Sequence, residues 1–213
     1  MSRPRLLVCG FGAFPAAPRN PAGEAVEALA RSGWAPAAAD VDFLTVPVAW
    51  RGAVEAVHER RLAAAYDGVL VVGVAVEADG FRVETLGRNL AAPGRPDHLG
   101  ELWPAATISA DAPATLAVTA PWAAMLEALQ AAGLPARASD HAGEYLCNFM
   151  LFRLLLEAAA PAAGFLHVPQ ARECEPGAAF ALSDIEAAVA ACAGAFAADL
   201  AAATDPAARR RTA

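Results

Sequence analysis

The chain has 213 residues, of which 57% are hydrophobic and 18% charged, a balance that excludes a disordered chain and supplies a large core. Its 16 Lys and Arg against 23 Asp and Glu give a formal net charge of −7, which disfavours capture of nucleic acid or of an anionic membrane and leaves peptides or small molecules as expected partners. Four cysteines, Cys9, Cys147, Cys174 and Cys192, form no C-x-x-C pair, so no zinc knuckle or redox dithiol is signalled and reduced thiols in a cytoplasm are expected.

Arg5–Cys9 reads as a short buried strand. Arg3 and Arg5 ahead of Leu6-Leu7-Val8 imitate the start of a signal peptide, but Gly10, Gly12 and Pro15 break the apolar run before an h-region develops. Asn20-Pro21 then opens a helix as N-cap and N1, with Val26 and Leu29 in its buried stripe. Asp42–Val48 predicts a second strand, followed by a helix from Trp50 to Tyr66 with Val54, Val57 and Leu62 facing inward. Gly68–Gly73 is the clearest central strand.

From Val74 to Val118 the periodicity is poor and glycine and proline abound, the pattern of a loop-rich functional insertion. A helix starts at Thr119, with Pro121 just behind, and ends at Gly133; a weak strand at Pro135–Ser139 leads to an apolar helix entered near Gly143–Cys147. Gly164–Val168 is another clear strand, and Ser183-x-x-Glu186 reads as a capping box opening the last helix. The apolar run Ala187 to Ala198 is too short to span a bilayer, which takes about 18–20 residues, so no membrane anchor is expected. Residues 205–213, with Arg209-Arg210-Arg211, read as a solvated tail after a single domain over 1–204.

Strands alternating with helices imply an α/β domain whose largely parallel sheet is covered on both faces. In such sheets ligands gather outside the carboxyl ends of the strands. The segments to search are therefore the loops after Cys9, Val48, Gly73, Ser139 and Val168.

Cys147 sits where a loop becomes a long apolar helix, and a helix N-terminus favours a thiolate. His167, in G-F-L-H-V-P, stands at the carboxyl end of a buried strand, at the same rim by topology. A thiol nucleophile needs such a base, and the base needs a third group to fix its tautomer. Glu77, Asp79 and Glu84 all follow the third strand, and spacing does not choose among them.

S-D-H-A-G-E-Y-L-C-N (Ser139–Asn148) and G-F-L-H-V-P (Gly164–Pro169), with C-G-F-G-A-F, Asn20-Pro21 and Gly73–Asn89, resemble the pyrrolidone-carboxylate peptidases, or type I pyroglutamyl peptidases. The resemblance runs from about Leu6 to Pro169. It implies a three-layer α/β/α sandwich with a twisted, mostly parallel mixed sheet. It also implies a cysteine peptidase that removes an N-terminal pyroglutamyl residue from peptides without metal or cofactor. By that resemblance Cys147 is the nucleophile, His167 the general base and Glu84 the carboxylate that orients it. Phe11 and Phe14 fall on the pair that sandwiches the lactam ring, and Asn20 on an asparagine supporting their loop. A homo-oligomer is also implied.

The sequence departs from the family pattern in several places. Phe11-Gly12-Ala13-Phe14-Pro15-Ala16 replaces F-x-P-F-G-G, and Val74 replaces a glutamine. Val76 and Glu77 replace glycines, and Arg82-Val83-Glu84-Thr85-Leu86-Gly87 replaces S-x-E-R-x-A. A family arginine that helps hold the oxyanion falls on Gly94, with Arg95 beside it as a substitute. These departures set an alternative beside the enzyme: a catalytically weak member that binds N-terminally blocked peptides or cyclic amides. The same thiol chemistry on another cyclic or N-acyl amide is a third reading.

Other patterns carry less. Gly10-Phe11-Gly12 imitates a dinucleotide fingerprint, but Pro15 holds the third glycine's place. Ser139-Asp140-His141 are consecutive and so unable to form a triad's hydrogen-bond chain. His98 and His141 lack metal-ligand spacing.

Overall fold

The structure, a computed structural model, describes residues 3–157 and 161–204; the predicted tail lies outside the described residues. The elements in order are β1 (Arg5–Phe11), α1 (Pro21–Ser32), β2 (Asp40–Val46), α2 (Ala53–Ala63), β3 (Gly68–Val74), β4 (Phe81–Glu84), β5 (Leu86–Arg88), β6 (Thr115–Ala117), α3 (Trp122–Ala131), β7 (Ala136–Ser139), α4 (Leu146–Leu156), β8 (Ala162–Val168) and α5 (Leu182–Thr204).

Six strands form one mixed sheet in the order β2-β1-β3-β8-β4-β7. Every pairing is parallel except β4 against β8. Strands buried on both faces read as continuous apolar runs, and β1 splits its side chains between two cores. Leu6 and Val8 pack with residues of α1, α3 and α5, whereas Leu7 and Cys9 pack with residues of α2 and α4. The result is the three-layer α/β sandwich that the alternation of elements predicts.

Asn20 caps α1 as expected, its Oδ1 accepting from the Ala22 N–H at 3.1 Å. Its Nδ2 also donates to the Gly12 carbonyl at 2.9 Å, tying the helix start to the loop after β1. That approach is close: a Cβ on Gly10 would lie 2.6 Å from the Ala22 carbonyl oxygen.

Several expectations are corrected. Leu62 is 89% exposed, because the Trp50–Tyr66 pattern contains a shorter helix whose buried side is set by Val54 and Val57. The last helix begins at Leu182, and the Asp184 carboxylate accepts from the Ala181 N–H at 2.8 Å. This places the reciprocal half of a capping box two residues before the Ser183–Glu186 match.

The Val74–Val118 stretch is not simply irregular. It supplies β4 to the main sheet and β5 and β6 to a separate antiparallel pair. Two buried polar side chains organise the remainder. Asn89 accepts from the N–H groups of Ile108 and Ser109 and donates to the carbonyls of Ser109 and Ala112. Asp97 accepts from the N–H groups of Trp50, Leu99 and Glu101.

At 23 residues, α5 is long and apolar enough by length and composition to cross a membrane. The same apolarity serves the core, since Ile185, Val189, Cys192, Phe196 and Leu200 recur at helical spacing and are buried on the sheet side.

Two substitutions test this packing by thermal unfolding. Gly10→Ala is expected to cost about 1–3 kcal/mol by overpacking, and at this chain length each kcal/mol lowers Tm by about 2–4 °C. Gly194→Ala, where an added Cβ meets nothing within 4 Å, should instead stabilise α5 by about 0.5–1 kcal/mol.

Candidate active site

Cys147 is the second residue of α4, and no side chain caps the first turn at Tyr145. The leading N–H groups of a helix have no intrahelical partner, so an uncapped first turn beside a thiol can donate to an anion. Room for the sulfur comes from β3. A Cβ on Gly73 would stand 3.0 Å from the Cys147 Sγ and 2.8 Å from the Phe165 ring, so only glycine lets the helix approach this closely.

Gly73 pairs in register with His167 on β8. On the other side of β8, antiparallel β4 sets Arg82 opposite His167 and Glu84 opposite Phe165. Side chains two apart share a face of a strand. Glu84 therefore lies diagonal to His167 on one face, and the His167 Nδ1–H donates to Glu84 Oε1 at 2.8 Å. Glu84 is fully buried and His167 is 6% exposed. With Nδ1 occupied, Nε2 is the ring nitrogen left for the thiol, and His167 and Cys147 line the same cleft.

Burial opposes a charge on His167. The negative charge and hydrogen bond of Cys147, followed by those of Glu84, outweigh it and raise the imidazole from its usual 6.5 to about 9. Desolvation raises the thiols of Cys9 and Cys192 far above the ordinary value and brings Cys174 to about 11.

Cys147 and His167 open onto a cleft of about 520 Å³ whose walls include Phe11, Phe14, Asn20, Val74, Arg82 and Arg95. The altered loop after β1 closes as a tight turn, with Phe14 and Ala17 exchanging backbone hydrogen bonds of 3.1 and 2.9 Å. It still presents Phe14 to the cleft beside Phe11. Gly94 adopts φ +82° and a Cβ added there would meet nothing within 4 Å, while its neighbour Arg95 lies on the cleft wall with its guanidinium 4.0 Å from the Tyr145 ring centroid.

The three carboxylates that spacing leaves open are separated by the fold. Glu77 is exposed on the cleft wall. Asp79 is bound by Arg137 at 2.9 Å, which holds its carboxyl below the usual range. Only Glu84 reaches His167.

Asn148 is a residue that the sequence reading passes over. Fully buried next to Cys147, it accepts from the Arg88 N–H and donates to the carbonyls of Arg88 and Leu90, at 2.8–2.9 Å. It fastens the start of α4 to β5. The weighed histidines are engaged locally: His98 Nδ1 bonds the Val48 carbonyl and His141 Nδ1 accepts from the Gly143 N–H. Among the described residues no group of three or more His, Cys, Asp or Glu stands ready for a metal.

The family model described as pyroglutamyl peptidase matches residues 4–199. A pyrrolidone-carboxylate peptidase of Streptococcus suis is 31% identical over 169 residues, 78% of this chain and 77% of that protein. One from Thermococcus kodakarensis is 31% identical over 173 residues, 79% and 82% of the two chains. Among solved structures, pyroglutamyl peptidase I from Bacillus amyloliquefaciens superposes with a TM-score of 0.84 at 27% identity, covering 92% of this chain and 96% of its own. The pyrrolidone carboxyl peptidase from Thermococcus litoralis shares the fold with a TM-score of 0.85 at 24% identity, covering 95% and 97%. With the family match spanning nearly the whole described chain, this protein belongs to the pyroglutamyl peptidase family.

Proposed function

We propose that the chain is a cysteine peptidase that releases N-terminal pyroglutamate from peptides. The carrying observation is the Glu84–His167 hydrogen bond, with His167 and Cys147 together on the wall of the cleft. Phe11 and Phe14 offer two apolar faces to a flat neutral lactam. Asn20 holds the loop between them through Gly12. The Cys147 thiolate attacks the pyroglutamyl carbonyl, and the uncapped first turn of α4 donates to the developing oxyanion, with Arg95 close by as a further donor. His167 then gives its Nε2 proton to the leaving amine as the C–N bond breaks. Water, deprotonated by the same nitrogen, cleaves the thioester and frees pyroglutamate and the thiol.

Each step uses groups of the chain and water, so neither a metal nor a cofactor is part of the proposal. An intact Glu84–His167 hydrogen bond favours turnover over the binding-only alternative. We place the enzyme in the cytoplasm. Exposed Leu99 and Leu102 on the insertion support a homo-oligomer.

Three measurements test this reading. Cys147→Ala should show no detectable release from a fluorogenic pyroglutamyl amide while unfolding as wild type; retained turnover would reject the nucleophile. Glu84→Gln should lower kcat by about 10³–10⁴ and move the His167 midpoint downward, since one of the groups that raise it is lost; an unmoved pH profile would argue for a purely structural carboxylate. Finally, a group whose folded pKa is raised stabilises fully below its unfolded value and loses that contribution as pH climbs through the folded one. The Tm advantage of wild type over His167→Gln should therefore be full below pH 6.5 and shrink as pH rises through about 9.

A further inference from the structure

The cleft is more cationic than a neutral lactam requires. Arg82 and Arg95 both lie on its wall, and among the described residues neither forms an ion pair. The Arg82 Nε is buried without a hydrogen-bond partner. Asp79, whose carboxyl feels the Arg82 charge, is already taken by Arg137 at 2.9 Å. Arg95 stacks on Tyr145, an arrangement that leaves the in-plane N–H fork of a guanidinium open to a carboxylate. Glu77 is the sole carboxylate on the wall, and it is exposed. All this occurs in a chain of net charge −7.

Position identifies the part of a substrate that these cations meet. Arg82 and His167 are direct partners across β4 and β8, where Cα atoms stand about 5 Å apart. His167 delivers the proton to the leaving amine, so Arg82 borders the leaving portion and not the lactam held by Phe11 and Phe14. The geometry points to pyroglutamyl substrates that carry a carboxylate just beyond the scissile bond, received by Arg82. This rests on the pyroglutamyl reading above. Such a carboxylate belongs either to the free C-terminus of a pyroglutamyl dipeptide or to an acidic second residue.

The test compares kcat/KM for pyroglutamyl-alanine amide, pyroglutamyl-lysine amide, pyroglutamyl-alanine with its free carboxylate, and pyroglutamyl-glutamate amide. At least one carboxylate substrate is expected to exceed the alanine amide by about tenfold or more, with the lysine amide poorest and the preference weakening as salt rises. Preference for the free carboxylate alone assigns dipeptides; preference for the glutamate amide assigns an acidic second residue. Arg82→Gln should remove most of the preference and Arg82→Lys restore part of it. Neutral and acidic substrates turned over within about threefold of each other by wild type would overturn the proposal while leaving the pyroglutamyl reading intact. So would a preference that survives in Arg82→Gln. Failure to cleave any of the four would reject both together.

Discussion

The site depends on one antiparallel pairing in an otherwise parallel sheet. Because β4 runs against β8, the polar face of a four-residue strand meets the imidazole, and a fully buried carboxylate finds its partner at 2.8 Å. A buried carboxylate is costly unless it is hydrogen-bonded and paired. His167, drawn to about 9 by its neighbours, supplies the compensating charge. Removing either group would strand the other, so the same contact orients the imidazole and holds β4 in register.

The rest of the architecture brings sulfur to nitrogen. Gly73 removes the one side chain that would separate β3 from the start of α4. Asn148 then fixes that helix start to β5 through three hydrogen bonds to Arg88 and Leu90. Both set where the thiol stands. Such placement is what pre-organisation requires at a site where displacements near 1 Å are costly.

Much of this was legible in the sequence where burial enforces a pattern. Gly68–Gly73 and Gly164–Val168 are apolar throughout because both faces of their strands are covered, and Asn20-Pro21 carries its capping chemistry in its residue types. Legibility ended at β4. Phe81-Arg82-Val83-Glu84 does alternate, with Phe81 and Val83 in one core and Arg82 and Glu84 on the opposite face. Four residues among many glycines and prolines are too few to establish a period, and Arg and Glu there resemble a solvated loop. Glu84 therefore could not be separated from Glu77 and Asp79 by spacing; register across β8 separates them. Leu62 failed for the opposite reason, since an apolar residue near a helix end carries no sign of whether the core extends that far.

The long segment between β5 and β6 is held by Asn89 and Asp97, whose side chains bind backbone amides and carbonyls. Main-chain atoms are the same whatever residue carries them. Most positions along this segment can thus change without loosening the scaffold, and the anchors on either side set where Arg95 meets the cleft wall. Side chains facing the cleft from this segment can be exchanged while Glu84, His167 and Cys147 keep their places.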